Sequence, residues 1–385
     1  MMLETTVTVL CITFVLWVLS IMLMLHYARL GKISRKQSAE GIKYTMLPSV
    51  AVVIVAQEEA EKLRRHLPLF LEQHYPSEYQ VIVIDIHSSD NTLKLMEELE
   101  GRYPYLTHTS IPVSARDISM QRLAMTLGMK TACTEWVVFT QADCCPETEE
   151  WLASFMNTDT QGKHAILGFT RYAQCNSRMM KKRQFFRLWQ QMLWIPFATK
   201  HHPYRADDTL LAYRREYFFG HNGFASDSKL LLGASTLLVN NNISRKQCAV
   251  SISRKAMLLQ DNPLPHTWPQ EEVFFMETRK HTKYRCLYRT WYAIKVTLPI
   301  LFTLSTIVSC ILWFQNQIVT GILAGLWLIL YIVRDIAFRK TTKQFNMKSF
   351  HFTLPFFCSL IPLWDIRSWL KWRFTNKREF RKKFV

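Results

Sequence analysis

The sequence predicts an α/β domain, a mainly parallel sheet with helices on both faces, set between N- and C-terminal membrane helices. Three features predict it. Short β-branched runs alternate with stretches of helical apolar spacing. Uncharged apolar runs near both ends are long enough to cross a bilayer. A chain of 385 residues with 49% hydrophobic residues and only 11 glycines can also bury a sizeable core.

Val7 to Leu25 is the first apolar run, and a helix of that length crosses a hydrocarbon core of about 30 Å. A signal peptide is the alternative. Glu4 stands where a basic n-region would, and His26, Tyr27 and Arg29 follow in place of a small-residue cleavage site, which favours an uncleaved anchor over residues 1–28. Ser49 to Gln57 reads as a buried strand and Glu58 to Glu72 as an amphipathic helix, with Leu63, Leu67, Phe70 and Leu71 on one face. Gln80 to Asp85 and Glu135 to Thr140 are further strands; Asn91 to Leu99, Ile118 to Ala132 and Thr148 to Met156 are further helices. That order argues for a parallel sheet whose ligands gather at the carboxyl ends of its strands.

Val296 to Phe314 and Ile318 to Val333, joined by Gln315-Asn316-Gln317, read as a transmembrane hairpin within residues 293–335. Phe350 to Trp364 holds Pro355 and Pro362, and is a short span, a re-entrant piece or an interfacial helix. Basic residues near span ends favour the cytoplasm. Arg29, Lys32, Arg35 and Lys36 after the first run, Arg285, Arg289 and Lys295 around the start of the second, and Arg334, Arg339, Lys340 and Lys343 after the third put the intervening domain, residues 48–292, inside. The segment 336–385 ends in a basic, aromatic tail suited to anionic headgroups and favours the interfacial reading.

The 48 Lys and Arg against 30 Asp and Glu give a formal charge of +18, which implies an anionic neighbour. Membrane lipids account for it without nucleic acid. The nine cysteines lack paired CxxC spacing and read as reduced packing residues, with no zinc quartet. An uncharged hairpin offers no intramembrane ion path, which disfavours a transporter.

The polar residues that follow the strands are the candidate site. Asp85 and Asp90 frame the loop after the second strand, and Gln141 and Asp143 follow the later one. An acid there can grip a base, a ribose or a phosphate-bound metal; the plain alternative is a helix N-cap for Asp90 and a turn for Asp143.

In sequence, VAVVIVAQEEAEKLRRHLPLFLEQHYPSEYQVIVIDIHSSDNT, LAMTLGMKTACTEWVVFTQADC and LAYRREYFFGHNGFASDSKLLLGASTLLVNN resemble successive blocks of the family-2 glycosyltransferases, over roughly residues 48–292. The resemblance implies a glycosyltransferase A-type fold in a membrane-anchored protein. It implies a nucleotide-sugar donor held by Asp85, Asp90, Gln141 and Asp143, with Mg²⁺ or Mn²⁺ on Asp143 neutralising the leaving diphosphate. It also implies that Arg279 and Lys280, in the place of a basic motif, contact that diphosphate, and that a carboxylate deprotonates a glycan or lipid-linked acceptor.

The chemical positions depart from the family pattern. Ile86 and His87 replace an Asp and a Gly, Gln141 replaces the first Asp of Asp-x-Asp, Glu277 replaces the Gln of the basic motif, and Gly233-Ala234-Ser235-Thr236 stands where the acidic loop would be. Asp227, Asp207 or Asp208 are the remaining candidates for the base. Two readings stay open: a transferase acting on an envelope glycan or glycolipid, and a catalytically inactive relative serving as a binding or partner subunit.

Overall fold

A computed structural model describes residues 2–44, 47–111, 119–174, 177–224, 230–263, 267–376 and 380, without the side chains of 2–6 and 267–269. The elements run α1 (Met2–Ala39), β1 (Val50–Ala56), α2 (Ala60–Leu71), β2 (Tyr79–Asp85), α3 (Thr92–Glu100), β3 (Leu106–Ser110), α4 (Met120–Thr131) and β4 (Trp136–Gln141). Next come β5 (Cys144–Pro146), α5 (Trp151–Met156), β6 (Ala165–Leu167), β7 (Thr170–Tyr172), α6 (Arg178–Ala198), β8 (Leu211–Arg214), α7 (Arg215–Gly220) and α8 (Ala234–Asn242). The chain closes with β9 (Cys248–Val250), β10 (Leu258–Gln260), α9 (Thr267–Thr278), α10 (Arg285–Leu312), α11 (Gln317–Gln344) and α12 (Leu354–Phe374).

Seven strands form the central sheet in the order β3-β2-β1-β4-β8-β6-β9, and β5-β10-β7 form a small second sheet. Strand β1 pairs in parallel with β2 (Val53 opposite Ile82) and with β4 (Val53 opposite Phe139). In the central sheet, among the described strands, β8 alone runs against its neighbours, β4 and β6, and in the small sheet β5 runs against β10. The β-branched sequence of β1 suits burial on both faces. Its residues alternate accordingly: Ala51 and Val53 enter a core with α4, α6 and α1, while Val50, Val52 and Ile54 enter a second core with α2, α3 and α5. Gly128 lets α4 approach closely, since a Cβ there would stand 2.6 Å from Val53. The sheet order turns at β1, with β2 and β3 on one side and β4 on the other, which opens a crevice at the carboxyl ends of these strands.

Among the described residues, three helical segments are long and apolar enough to cross a membrane: Val7–Ala39, Arg285–Leu312 and Gln317–Gln344. Helix α1 continues without a break beyond its apolar run and delivers Met24, Tyr27 and Leu30 into the domain's own core. Helix α6 is buried along most of its length. Its Phe185 stacks on Phe338 of α11 and meets Phe357 of α12, so domain and flanking helices share one packing unit. Helix α12 carries Phe356, Leu363, Ile366 and Phe374 exposed along its length, and on its inner side Trp372 donates to Glu277 at 2.7 Å.

Candidate functional site

The crevice has two halves. In the first, the loop after β2 folds on its own acids. Asp85 is buried and accepts from the Ser88 amide at 3.2 Å and the Ser88 hydroxyl at 2.5 Å. Asp90 accepts from the backbone of Ala60 at 3.0 Å and of Thr92 at 3.1 Å, so one carboxylate serves the starts of both α2 and α3. Slight desolvation pushes its pKa up, and the bonds from Thr92 and Ala60 outweigh it and lower it. Glu58 accepts from the amide and hydroxyl of Ser89 at 2.7 and 3.0 Å. Glu58 and His87 hold φ of 55° and 49° at the ends of β1 and β2. A left-handed residue with a side chain costs about 1–2 kcal/mol, and two such residues facing one crevice mark it as a shaped site.

Asp143 sits just beyond β4. Its Oδ2 accepts from Gln260 Nε2 at 2.9 Å and its Oδ1 from the Cys144 thiol at 3.4 Å. Burial pushes that thiol's pKa well up, which keeps it protonated as the donor. The carboxylate is therefore engaged at both oxygens, and Gln141 adds only a neutral amide. Among the described residues no group of three or more His, Cys, Asp or Glu is arranged to hold a metal ion. One occupied carboxylate and one amide do not fit a protein-held site for Mg²⁺ or Mn²⁺, which favour several free oxygen ligands.

The second half is a cavity of about 210 Å³ between β4, α6, the loop before β8, the start of α8 and α9. Gln141 lines it together with Asp207 and Asp208. Arg187 is bound by Asp207 Oδ2 at 3.0 Å, Thr170 at 2.5 Å and Gln260 at 2.5 Å, and covers the Tyr172 ring. Burial pushes the Asp207 pKa up, but Arg187 and then Arg205 outweigh it and lower it. Arg205 is held by Gln190 Oε1 at 2.9 Å and lies 4.0 Å over Phe275, and among the described residues it closes no ion pair with a carboxylate.

Asp208 accepts from the Ser235 amide at 3.0 Å, at the first turn of α8. Burial pushes its pKa up, with Asp207 adding, against bonds from Ser235 and Gln121. The turn is tight. Gly233 has φ of 84°, and a Cβ there would stand 2.6 Å from Thr278 of α9. The sequence segment 233–236 that lacks an acid is thus met by one from a different loop.

Helix α9 adds Glu271 and Glu272, which the sequence reading did not single out. Gln190 donates to both oxygens of Glu272 at 3.0 Å. Glu271 still reaches solvent at the cavity mouth, yet the atoms packed around its carboxyl push its pKa up to about 7, with Glu272 and Asp207 adding against Arg187. Two adjacent acids one turn into an apolar helix were the available signal. Arg187 and Arg205 left none, because only the fold turns them inward. Neither Arg279 nor Lys280 lines the cavity; Lys280 pairs with Glu277 at 3.0 Å and covers Trp372 at 4.2 Å. Asp227 lies outside the described residues.

Residues 51–220 match the model of glycosyl transferase family 2. Among solved structures, a mannosyltransferase, PcManGT from Pyrobaculum calidifontis, in complex with GDP-Man and Mn2+, is similar over 95% of this chain and 99% of its own, at 17% identity and TM-score 0.51. S. aureus TarS 1-349 is similar over 75% and 80%, at 15% identity and TM-score 0.42. GalNAc-T7 with UDP, GalNAc and Mn2+ is similar over 57% and 45%, at 15% identity and TM-score 0.41. No curated protein matches the sequence.

Proposed function

We propose, from the family-2 glycosyltransferase domain that residues 51–220 of this chain carry, that the protein is a membrane-bound transferase moving a sugar from a nucleotide-sugar donor to an envelope glycan or glycolipid. The observation that carries this reading is Asp208, a carboxylate of raised pKa at the first turn of α8 and inside the cavity that Gln141 enters. A raised pKa brings a carboxylate closer to the range in which it accepts a proton efficiently near neutrality.

In this reading the donor nucleoside lies at the carboxyl ends of β1 and β2, and Asp85 receives its hydroxyls when the Ser88 hydroxyl turns away from the carboxylate. The crevice acids Asp90 and Asp143 shape that half, and the Gln141 amide lies between it and the cavity. The sugar and the acceptor hydroxyl meet in the cavity. Asp208 takes the acceptor proton as the acceptor oxygen bonds to the anomeric carbon and the nucleoside diphosphate leaves with the bridging oxygen, and Arg205 faces the charge that develops on it. Aromatic and amide groups around it, Tyr172, Trp194, Gln190 and Gln191, suit a sugar's apolar faces and hydroxyls. No step is assigned to a divalent cation, because the donor set around Asp143 does not fit one. The apolar helices α1, α10 and α11 cross the membrane, with the domain on the cytoplasmic side, and an acceptor borne on lipid or on a nascent envelope glycan reaches the cavity from the bilayer.

A second reading, an inactive relative serving as a binding or partner subunit, is favoured by the double engagement of Asp143. One titration separates the two. Full-length protein in detergent is titrated with UDP, GDP and their sugars, with and without Mn²⁺, and donor consumption is then followed with a lipid and glycan extract as acceptor. Saturable donor binding with turnover supports the transferase. Absence of any nucleotide binding removes it, and binding without turnover supports the second reading.

A further inference from the structure

A second pocket of about 40 Å³ lies where α1 leaves its apolar run, lined by His26 and Arg29 of α1, Pro196, Phe197, Lys200 and His201 at the end of α6, and Trp291 of α10. Its lining holds two permanent cations and two imidazoles, and no carboxylate. Among the described residues neither Arg29 nor Lys200 forms an ion pair with an acid. Arg29 instead points a guanidinium nitrogen at His26 Nδ1, 3.2 Å away. A guanidinium only donates, so Nδ1 accepts and the imidazole proton sits on Nε2. His26 is 5% exposed, and its Nε2 has no hydrogen-bond partner. The Leu193 carbonyl is the one backbone acceptor that acts on the ring among the described residues, in a geometry too poor to satisfy Nε2. A buried N–H beside two uncompensated cations is a vacancy for an anion with several acceptor oxygens.

The surroundings say where that anion comes from. The pocket falls at the end of the apolar run that adjoins the domain, where lipid headgroups meet a crossing helix. Trp291 packs edge-on against His26 with ring centroids 4.8 Å apart, and Lys295 one turn deeper covers the same indole at 4.4 Å. Met22 and Leu25, one to two turns back along the stripe of α1 that carries Arg29, are 64% and 62% exposed, and Ile294 of α10 is 43% exposed. An anion seated here therefore has apolar surface below it that suits an acyl chain. Basic pockets between membrane helices on the domain side hold phospholipid headgroups by this combination.

We propose that the pocket binds the phosphate of an anionic membrane lipid, with Arg29 and Lys200 supplying charge and His26 Nε2 a buried hydrogen bond. The bound lipid braces the last turn of α6, the helix whose Arg187, Gln190, Gln191 and Trp194 line the transfer cavity. The site stands independently of the transfer chemistry, since none of its residues lines that cavity.

The test uses the full chain in detergent and counts bound lipid by native mass spectrometry during titration with phosphatidylglycerol, phosphatidylcholine or inorganic phosphate. The double substitution Arg29→Gln with Lys200→Gln is compared with Arg35→Gln with Lys36→Gln, an equal charge loss at exposed positions further along α1. Phosphatidylglycerol is expected to bind the unsubstituted protein and to bind the pocket variant roughly 10- to 30-fold more weakly, given what each cation near an anionic surface contributes. The control pair leaves binding within about twofold. The proposal is overturned if the pocket variant binds phosphatidylglycerol as before, or if the control pair weakens it equally. It is also overturned if phosphatidylcholine binds as tightly, or if inorganic phosphate does, which would make the site one for a soluble anion.

Discussion

The two halves of the crevice treat their acids differently. At the carboxyl ends of β1, β2 and β4, each described acid already has internal donors: Asp85 takes Ser88, Asp90 takes Ala60 and Thr92, Glu58 takes Ser89, and Asp143 takes Gln260 and Cys144. In the cavity between α6, α8 and α9, carboxylates are crowded together; burial shifts Asp208 toward its neutral form, and the atoms packed around the carboxyl of the exposed Glu271 shift it the same way. The first arrangement holds a shape. The second holds groups whose protonation can change during a reaction. If Asp208 serves as the base as proposed, the absence of acids at Ile86, Gln141 and 234–236 weighs more heavily on the grip on a metal than on the supply of a base.

The cavity breaks most severely at Arg187. Replacing it by Met leaves the half-buried Asp207 with Arg205 as its remaining cation, and we expect a loss of up to about 3 kcal/mol, read by denaturant unfolding of the full chain in detergent. The donor half breaks at Asp85. Asp85→Asn should weaken nucleotide binding by about tenfold or more in calorimetric titration, as expected for a charge-assisted bond, while donor turnover at saturation changes little. If affinity is unchanged, the nucleoside does not sit on β2.

Strain in the donor half gives a smaller effect of opposite sign. His87 occupies a left-handed position, and His87→Gly should raise stability by about 1 kcal/mol in the same unfolding measurement. The cavity gives a pH signature instead. Atoms packed around the Glu271 carboxyl push its pKa up to about 7 from 4.5, though the side chain is exposed and solvent screens the effect, so the fold prefers its neutral form only modestly. That preference is fully present below pH 4.5 and is lost as pH rises through 7. Glu271→Gln should flatten this decline between those values, and an unchanged slope would show that Glu271 is solvated like an ordinary surface acid.

Much of the fold was legible because it rests on local pattern. The buried strands β1, β2 and β4 announce themselves as β-branched runs, and α2 as an apolar face at Leu63, Leu67, Phe70 and Leu71. Strand β3, Leu-Thr-His-Thr-Ser, was missed because an edge strand needs little apolar content once β2 supplies its hydrogen bonds. The capping work of Asp90 could be anticipated from residue type. The seat of Asp208 could not, since it meets the start of α8 through a contact between residues 27 apart in the chain. Likewise Lys280 looks free in sequence, but it pairs with Glu277 one turn back, and the return of α12 lays Trp372 against it.

The central claim is that Asp208 supplies the base that the start of α8 lacks. Asp208→Asn keeps the shape and an acceptor for the Ser235 amide but removes the basic carboxylate. Measured on one preparation, donor binding and sugar transfer to the extracted acceptor should separate: affinity for the nucleotide sugar within about twofold of the unsubstituted chain, and transfer lowered by about 10²- to 10⁴-fold. Transfer at an undiminished rate in Asp208→Asn would contradict the account.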